Sequence, residues 1–227
     1  MSRPPASLRL LLVRHAVTDW NRDGRFQGHL DPPLSDAGRE QARLLADRLA
    51  VDARLRPTRV VASSLQRARQ TAEIIAAACD AQLGVDPRLM EIGQGAWEGR
   101  THAELAVTDG RRYAAWQRMS GARQPPGAEA LDAVRTRMAE AMKELLADAE
   151  WPACIVSHGG AQRLLAGRLL RLRAPRAWAV DLDNASLSVC VRVARGAWRV
   201  ERWNDTGHLL GHAPTHVDEA EGRPLAL

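Results

Sequence analysis

Two histidines follow short apolar runs, and imidazole can act as a nucleophile, an acid or a base near neutral pH. His15 comes just after the run at 8–13, and His158 comes just after the run at 153–156. Such runs are typical of buried strands, and the carboxyl ends of neighbouring parallel strands meet at one edge of a sheet. A single histidine after a strand is usually an ordinary polar residue, but two such strand ends favour a shared site.

Arginine and glycine accompany these histidines in a pattern suited to phosphate. Arg14 adjoins His15, and Arg67 stands near the start of the helix predicted after a second strand. The planar guanidinium of arginine can hold a phosphate through two parallel hydrogen bonds. Gly159 and Gly160 open a helix directly after a strand, where free N–H groups and the helix dipole favour an anion. An isolated arginine is usually a surface residue, but together these features predict a phosphate-binding cradle.

The elements that would position these residues alternate between strand and helix. Strands are predicted at 8–13, 59–62 and 153–156, and an antiparallel hairpin at 186–193 and 198–203. Apolar residues at helical spacing predict one helix capped by Ser35, one after the second strand, one from near Glu129 to Ala149, and one over the leucines at 164–169. The segment at 20–33 is rich in Gly, Asn, Asp and Pro, which predicts a loop.

This order of elements predicts a single α/β domain over residues 1–227, built as a three-layer sandwich. Its central sheet is expected to be mostly parallel and to end in an antiparallel edge hairpin. Glycine and proline interrupt the pattern at about 85–128, which predicts a small inserted lid subdomain. The tail at about 212–227 contains proline, glycine and acidic residues and is expected to be loose.

Composition argues against several classes of protein. The formal net charge is +5 and the sequence pI about 10.0, yet Lys143 is the only lysine, and arginines scattered among acids do not form a cationic arm. Aromatic residues make up only 4% of the chain, with one Phe and one Tyr, so base stacking is not predicted. No run approaches the roughly 18 to 20 apolar residues that cross a bilayer. We therefore expect no nucleic-acid and no membrane partner.

Cysteine and histidine spacing does not predict a disulfide framework or a metal site. Three cysteines lie far apart in the sequence, which favours a reducing, cytoplasmic location. His208, His212 and His216 are four residues apart, as on one helix face, but Gly211 and Pro214 would break such a helix. No cofactor or metal is therefore predicted.

Four sequence blocks, taken together, resemble the histidine phosphatase superfamily, also called phosphoglycerate mutase-like. The resemblance covers residues 8 to about 165, and the blocks occur in the family's order. The blocks are LVRHAVTDWN at 12–21 with QG at 27–28 and LSDAGREQA at 34–42, SSLQRARQTA at 63–72, LMEIGQGAWEG at 89–99, and SHG at 157–159. The stretch NDTGHL at 204–209 is also similar to the family.

The resemblance implies a catalytic role for five residues. His15 would attack phosphorus and become a phosphohistidine, while Arg14, Arg67 and His158 would bind the phosphoryl oxygens. These positive charges would also keep His15 neutral, as a nucleophile must be. Glu91 would protonate the leaving alkoxide and then deprotonate the attacking water. Without the flanking block, Glu91 would be taken for a surface or capping carboxylate, and Glu98 is the rival acid.

Five further residues are expected to contact the phosphate or the rest of the substrate. As ordinary turn residues they would carry little weight without the resemblance. They are Thr18, Asn21, Gln27, Gly28 and Gly159.

The sequence departs from the family pattern at three positions without removing a catalytic group. Ala16 stands where the family usually has Gly, Ser64 replaces a frequent Pro, and Ala130 replaces a frequent Ser. The tryptophans are expected to pack in the core or in the insertion rather than to form a substrate cage.

The expected activity is metal-independent hydrolysis of a small phosphorylated metabolite, as in a histidine acid phosphatase. The short segment at 100–129 is similar to the broad-specificity phosphatase and alpha-ribazole phosphatase branch, whereas the family's mutases carry a longer insertion. Mutase-type phosphoryl transfer stays open because of the Arg111-Arg112 pair. A non-catalytic phospho-ligand-binding module is a further alternative. Neither the physiological substrate nor the oligomeric state follows from the sequence.

Overall fold

A six-stranded sheet forms the centre of the computed structural model, which describes residues 8–118, 124–148, 152–172, 178, 180–193 and 197–211. The strands are β1 (Arg9–Arg14), β2 (Arg59–Ala62), β3 (Gln82–Val85), β4 (Ala153–Ser157), β5 (Leu187–Arg192) and β6 (Trp198–Asp205). Their spatial order is β3-β2-β4-β1-β5-β6. The first four are parallel, and β5 and β6 are antiparallel.

The central strands β1 and β4 are buried on both faces. Leu12 of β1 lies opposite Ile155 of β4 on one side and Ser188 of β5 on the other. All five residues of β4 are buried, which explains why its sequence is an almost continuous apolar run.

Seven helices are found in the part of the chain that the structure describes. They are α1 (Asp19–Arg22), α2 (Asp36–Val51), α3 (Gln66–Cys79), α4 (His102–Thr108), α5 (Gly110–Arg118), α6 (Leu131–Asp148) and α7 (Gly159–Leu169). Helices α2 and α3 cover one face of the sheet, and α6 and α7 cover the other. Ser35 caps α2 by accepting a hydrogen bond from the Gly38 N–H at 3.1 Å, as its residue type predicts.

The insertion packs around its own aromatic cluster beside the sheet. Short 3₁₀ turns at Pro87–Leu89 and Gly95–Trp97 precede α4 and α5. Trp97 is buried against Phe26 and Tyr113, and Trp116 completes the cluster. This cluster is distinct from the two clusters that pack on the sheet.

The structure confirms the predicted α/β class, the mostly parallel sheet and the antiparallel hairpin. The sequence prediction missed β3, an exposed edge strand, and α1, a single turn within the expected loop. The expected helix from Glu129 begins at Leu131. The hairpin turn at 194–196 and the tail at 212–227 lie outside the described residues. Across the described chain, no helix has both the length and the apolar composition needed to span a membrane.

Candidate active site

The two histidines at the ends of β1 and β4 lie side by side. Arg14 and Ser157 are register partners, and the His15 N–H donates to the Ser157 carbonyl at 2.9 Å. The His15 and His158 ring centroids are 5.1 Å apart, and both side chains are buried. Residues more than 140 positions apart in sequence therefore share one edge of the sheet, as the strand-end argument predicts.

His15 is held in a single tautomer and kept uncharged. Its Nδ1 lies 2.8 Å from the Ala16 carbonyl, which can only accept, so Nδ1 carries the proton and Nε2 keeps its lone pair. Burial lowers the pKa of His15 well below its usual 6.5, and the charges of Arg67 and Arg14 lower it further, against the Ala16 bond, which raises it. At neutral pH the ring is therefore a neutral base with a free Nε2.

His158 is also neutral and is oriented by a serine that the sequence prediction did not single out. Its Nε2 lies 2.8 Å from Ser63 Oγ, and that oxygen accepts the Leu65 N–H at 3.3 Å. Burial lowers the pKa of His158 well below 6.5, and Arg67 and His15 add to the effect. Its Nδ1 is buried and has no hydrogen-bond partner among the described residues, so it can serve a ligand. Ser63 directly follows β2, so the strand-end rule could have identified it.

The two arginines are tethered by neutral backbone carbonyls. Arg67 is fully buried and donates to the carbonyls of Leu30 and Gly28, both at 2.8 Å. Burial lowers the pKa of Arg67 to about 10, so it is still a cation at neutral pH. Arg14 Nη1 donates to the Leu182 carbonyl at 2.6 Å. Because carbonyls carry no net charge, the bonds to Leu30 and Gly28 orient the Arg67 guanidinium group without cancelling its charge.

The N-terminus of α7 holds an anion from the protein itself. The Glu91 carboxylate accepts the N–H groups of Gly160 at 3.1 Å and Ala161 at 2.9 Å, and also that of Ile92 at 2.9 Å. The sequence predicts that the free N–H groups of this helix start bind the substrate phosphate, but in the structure the N–H groups of Gly160 and Ala161 donate to Glu91 instead. Gly159 lies against Arg14, since a Cβ at position 159 would stand 3.4 Å from Arg14 Nε.

Glu98, the rival acid, is bound by backbone groups. Its Oε1 accepts the His29 N–H at 3.0 Å and the Gln94 N–H at 2.8 Å. It also packs against Gly28, whose φ is +50° and where a Cβ would collide with the Glu98 side chain. These contacts give Glu98 a clear role in holding the loops together.

A polar network orders the loop after His15. Thr18 caps α1 in a reciprocal capping box with Asn21. Gln27 Nε2 donates to Thr18 Oγ1 at 3.0 Å, so the Gln27 Oε1 atom is the free end of its amide. Asn184 Nδ2 donates to the His15 carbonyl at 3.0 Å and lies 3.4 Å from Asn21 Oδ1. No feature of the sequence around Asn184 marks it, since its part in the site comes from the tertiary fold.

Of the three C-terminal histidines, the structure describes His208, and it is not part of a metal-binding group among the described residues. Among the residues described, no three His, Cys, Asp or Glu side chains are grouped to hold a metal ion. His208 lies 3.4 Å from Arg48 Nη1, and Arg48 is paired with Asp205. His212 and His216 lie outside the described residues.

Comparison with known proteins matches this arrangement to a family. The model of the histidine phosphatase superfamily (branch 1) matches residues 10–206. A protein of Photorhabdus laumondii named "Probable phosphoglycerate mutase GpmB" is 35% identical over 212 residues, covering 89% of this chain and 95% of the relative. The chain therefore belongs to the histidine phosphatase superfamily, which confirms the resemblance seen in its sequence.

Two solved structures have the same fold. A mycobacterial glucosyl-3-phosphoglycerate phosphatase in complex with VO3 has 32% identity and a TM-score of 0.77, covering 87% of this chain and 99% of that chain. The alpha-ribazole phosphatase from Shigella flexneri has 29% identity and a TM-score of 0.76, covering 88% and 97%. The superfamily thus includes relatives named as phosphatases and relatives named as mutases.

Proposed function

We propose that this protein hydrolyses phosphomonoesters through a phosphohistidine at His15. The observation that carries the proposal is the buried, neutral imidazole of His15, with a free Nε2, beside His158, Arg14 and the buried cation Arg67. In the first step Nε2 attacks phosphorus, the N–P bond forms and the bond to the alcohol oxygen breaks. In the second step water attacks phosphorus, and His15 leaves as a neutral imidazole.

The charges around His15 fit the transition state of this transfer. Phosphoryl transfer spreads negative charge over three equatorial oxygens, and fixed donors in a buried site supply most of the catalysis. Arg14, Arg67 and the unpartnered Nδ1 of His158 are the proposed donors. Burial lowers the pKa of both histidines, and the positive charge of Arg67 lowers it further; the same positive charge favours a bound anion.

Glu91 is the proposed proton carrier. In the first step its carboxyl group gives a proton to the departing alkoxide. The resulting carboxylate then takes a proton from the water that attacks the phosphohistidine. Contacts with α7 hold the carboxyl group near the site, where Glu91 is one of the charges that act on Arg67.

The proposed substrate is a small phosphorylated metabolite. The residues proposed to contact its phosphate or its alcohol portion are Thr18, Asn21, Gln27, Gly28 and Gly159. Two relatives of known structure support a small phosphorylated substrate. One is named as an alpha-ribazole phosphatase, and the other is named as a glucosyl-3-phosphoglycerate phosphatase in complex with VO3. All proposed steps use side chains of this chain and none uses a metal ion, so the activity should survive chelation of metal ions.

The proposed location is the cytoplasm. The three cysteines are free and buried, which supports a reducing compartment.

A panel of phosphomonoesters tests this function in the wild type and in His15→Ala. We expect phosphate release by the wild type, an acid-labile phosphoprotein after quenching, and loss of at least about 10⁴-fold in kcat for His15→Ala. Treatment with EDTA should leave the wild-type rate unchanged. Full turnover by His15→Ala would show that the mechanism is wrong, and no turnover of any ester would favour a phospho-ligand-binding module.

Mutase activity is the second candidate, and the curated relative named as a phosphoglycerate mutase favours it. In a mutase the phosphoryl group passes from His15 to a second hydroxyl instead of to water. Incubation with 3-phosphoglycerate separates the two activities. Isomerisation without comparable release of phosphate would reject hydrolysis as the main reaction.

A further inference from the structure

Arg137 binds the backbone of the segment that carries Glu91. This helix α6 residue donates from Nη1 to the carbonyls of Arg88 at 2.7 Å and Met90 at 2.6 Å, and from Nη2 to the carbonyl of Glu91 at 2.9 Å. The segment at 90–94 forms neither helix nor strand, so no repeating backbone hydrogen bonds hold it. The Arg137 side chain therefore satisfies three carbonyl groups, those of Arg88, Met90 and Glu91.

Glu129 holds Arg137 in the required orientation. Its two carboxylate oxygens accept from Arg137 Nε and Nη2, both at 2.8 Å. Burial raises the pKa of Glu129, but the hydrogen bonds and charge of Arg137 outweigh burial, and the net pKa is lowered. Glu129 also pairs with Gly93, accepting its N–H at 3.3 Å and donating its own N–H to the Gly93 carbonyl at 2.9 Å. The pair thus fixes the chain both before and after Glu91.

We infer that Arg137 and Glu129 are positioning residues for Glu91, an inference that rests on the proposed function. The Glu91 side chain reaches α7, while its own carbonyl is held by Arg137, so its backbone and its carboxylate are fixed on opposite sides. General acid catalysis needs the proton within hydrogen-bond reach of the departing oxygen, and a displacement of about 1 Å can cost roughly 10²-fold in rate. Lysine cannot replace Arg137, because a single ammonium cannot bond Glu129 bidentately and reach three carbonyls.

A series of aryl and alkyl phosphates with different leaving groups tests the inference. A p-nitrophenolate departs without a proton, whereas an alkoxide needs one, so only the latter depends on a well-placed acid. The value of kcat/KM reports the transfer to His15, since it ends at the first irreversible step. We expect Arg137→Met and Glu129→Gln to lower kcat/KM for alkyl phosphates by roughly 10- to 10²-fold. The loss for p-nitrophenyl phosphate should be much smaller, so log kcat/KM falls more steeply with leaving-group pKa.

A second arginine pair provides a matched control. Arg48 and Asp205 form a bidentate pair that is similarly buried but lies outside the site. Arg48→Met should lower the melting temperature and leave the dependence on leaving group unchanged. Arg137→Lys should resemble Arg137→Met in that dependence, although it keeps the charge.

Comparison with Glu91→Gln distinguishes failure of this inference from failure of the proposed function. Glu91→Gln should show the steep leaving-group dependence most strongly. If Glu91→Gln lowers kcat/KM equally for alkyl and aryl phosphates, the proposed role of Glu91 is wrong. The other outcome is that Glu91→Gln behaves as expected while Arg137→Met and Glu129→Gln lower kcat/KM equally for alkyl and aryl phosphates. In that case the Arg137–Glu129 pair only stabilises the fold, and the inference is overturned. Should Arg137→Met fail to fold, Glu129→Gln and Arg137→Lys decide by the same measurement.

Discussion

Arginine is used in opposite ways in two regions of this molecule. At the ends of β1 and β4, Arg67 is fully buried and bonds neutral carbonyls, while carboxylates act on it through charge rather than through a hydrogen bond. At the end of α2, Arg48 forms two hydrogen bonds to the Asp205 carboxylate at 3.0 and 2.5 Å, which ties the helix to β6. The first arrangement keeps a net positive charge inside the protein, and the second neutralises it.

The pKa directions reflect this difference. Burial lowers the pKa of Arg67 to about 10, because the folded protein supplies too little negative charge to offset lost hydration. The carboxylate of Asp205 raises the pKa of Arg48 above its usual value. A buried cation that is destabilised in this way is typical of a site that binds an anion, whereas a paired cation stabilises the fold. Exchanging arginine for methionine should therefore lower mainly kcat/KM in the first region and mainly the free energy of unfolding in the second.

The largest effect is expected for Arg67→Met. Because Arg67 is a proposed donor to the phosphoryl oxygens, its removal should lower kcat/KM by roughly 10²- to 10³-fold. The free energy of unfolding should change by less than about 2 kcal/mol, since the two lost hydrogen bonds are offset by relief from burying an ion. Steady-state kinetics and urea unfolding on the same preparation check both expectations. A large loss of stability with unchanged kcat/KM would reverse the assignment of the two regions.

Arg48→Met should show the converse behaviour. The free energy of unfolding should fall by about 1 to 3 kcal/mol, because Asp205 loses its charged partner. The remaining activity per folded molecule should match the wild type, since separate sites act independently. Urea unfolding and kinetics at a temperature where the variant is folded provide the measurement. A tenfold loss of kcat/KM would show that this pair also supports the site.

A smaller effect is expected from His208, which lies next to the Arg48 pair. Burial, and then the charge of Arg48, lower the pKa of His208 to about 4, against about 6.5 for an unfolded histidine. Between about pH 6.5 and 4, His208 is therefore protonated in the unfolded chain but not in the folded chain. The free energy of unfolding falls as the pH falls through this window. Each such group contributes a slope of about 1.4 kcal/mol per pH unit.

His208→Asn should remove this one contribution. Stability of the variant should fall less steeply than that of the wild type between pH 6.5 and 4.5, while the contributions of His15 and His158 remain in both proteins. Unfolding free energies at several pH values give the comparison. Parallel curves for the two proteins would contradict the role of His208.

The smallest effect is expected for Glu98→Gln within the catalytic region. The amide oxygen can still accept the His29 and Gln94 N–H groups, so the cost in stability should be about 1 kcal/mol or less. The dependence of kcat/KM on leaving group should stay that of the wild type. A steepening as large as that of Glu91→Gln would make Glu98 the acid instead.

The sequence predicts the part of this site that strand ends create. His15 and His158 follow short apolar runs that are typical of buried strands, and sheet geometry then brings them together. Edge strand β3 was missed because Gln82–Val85 is only four residues long, is mostly exposed and contains Gln82 and Gly84, so it is not a continuous apolar run. The start of α7 was predicted to bind phosphate, and the Glu91 carboxylate occupies it because the fold brings Glu91 next to Gly160, 69 positions away in the sequence.

Pairings between distant side chains are the part that sequence cannot supply. Arg137 lies on a helix that also carries Arg135 and Lys143, and nothing in its spacing distinguishes it from these two residues. Arg48 and Asp205 are 157 positions apart, and no local pattern links them. Such contacts depend on how helices dock on the sheet, which periodicity and residue type do not determine.

The aromatic cluster of the insertion has a consequence for how this protein could acquire new substrates. Phe26, Trp97, Tyr113 and Trp116 pack on one another rather than into the sheet. Phe26 is the chain neighbour of Gln27, which is a proposed substrate contact, so a rebuilt cluster would shift that contact while His15 and His158 keep their places at the strand ends. Descendants of one ancestor could therefore diverge in selectivity by remodelling this unit alone.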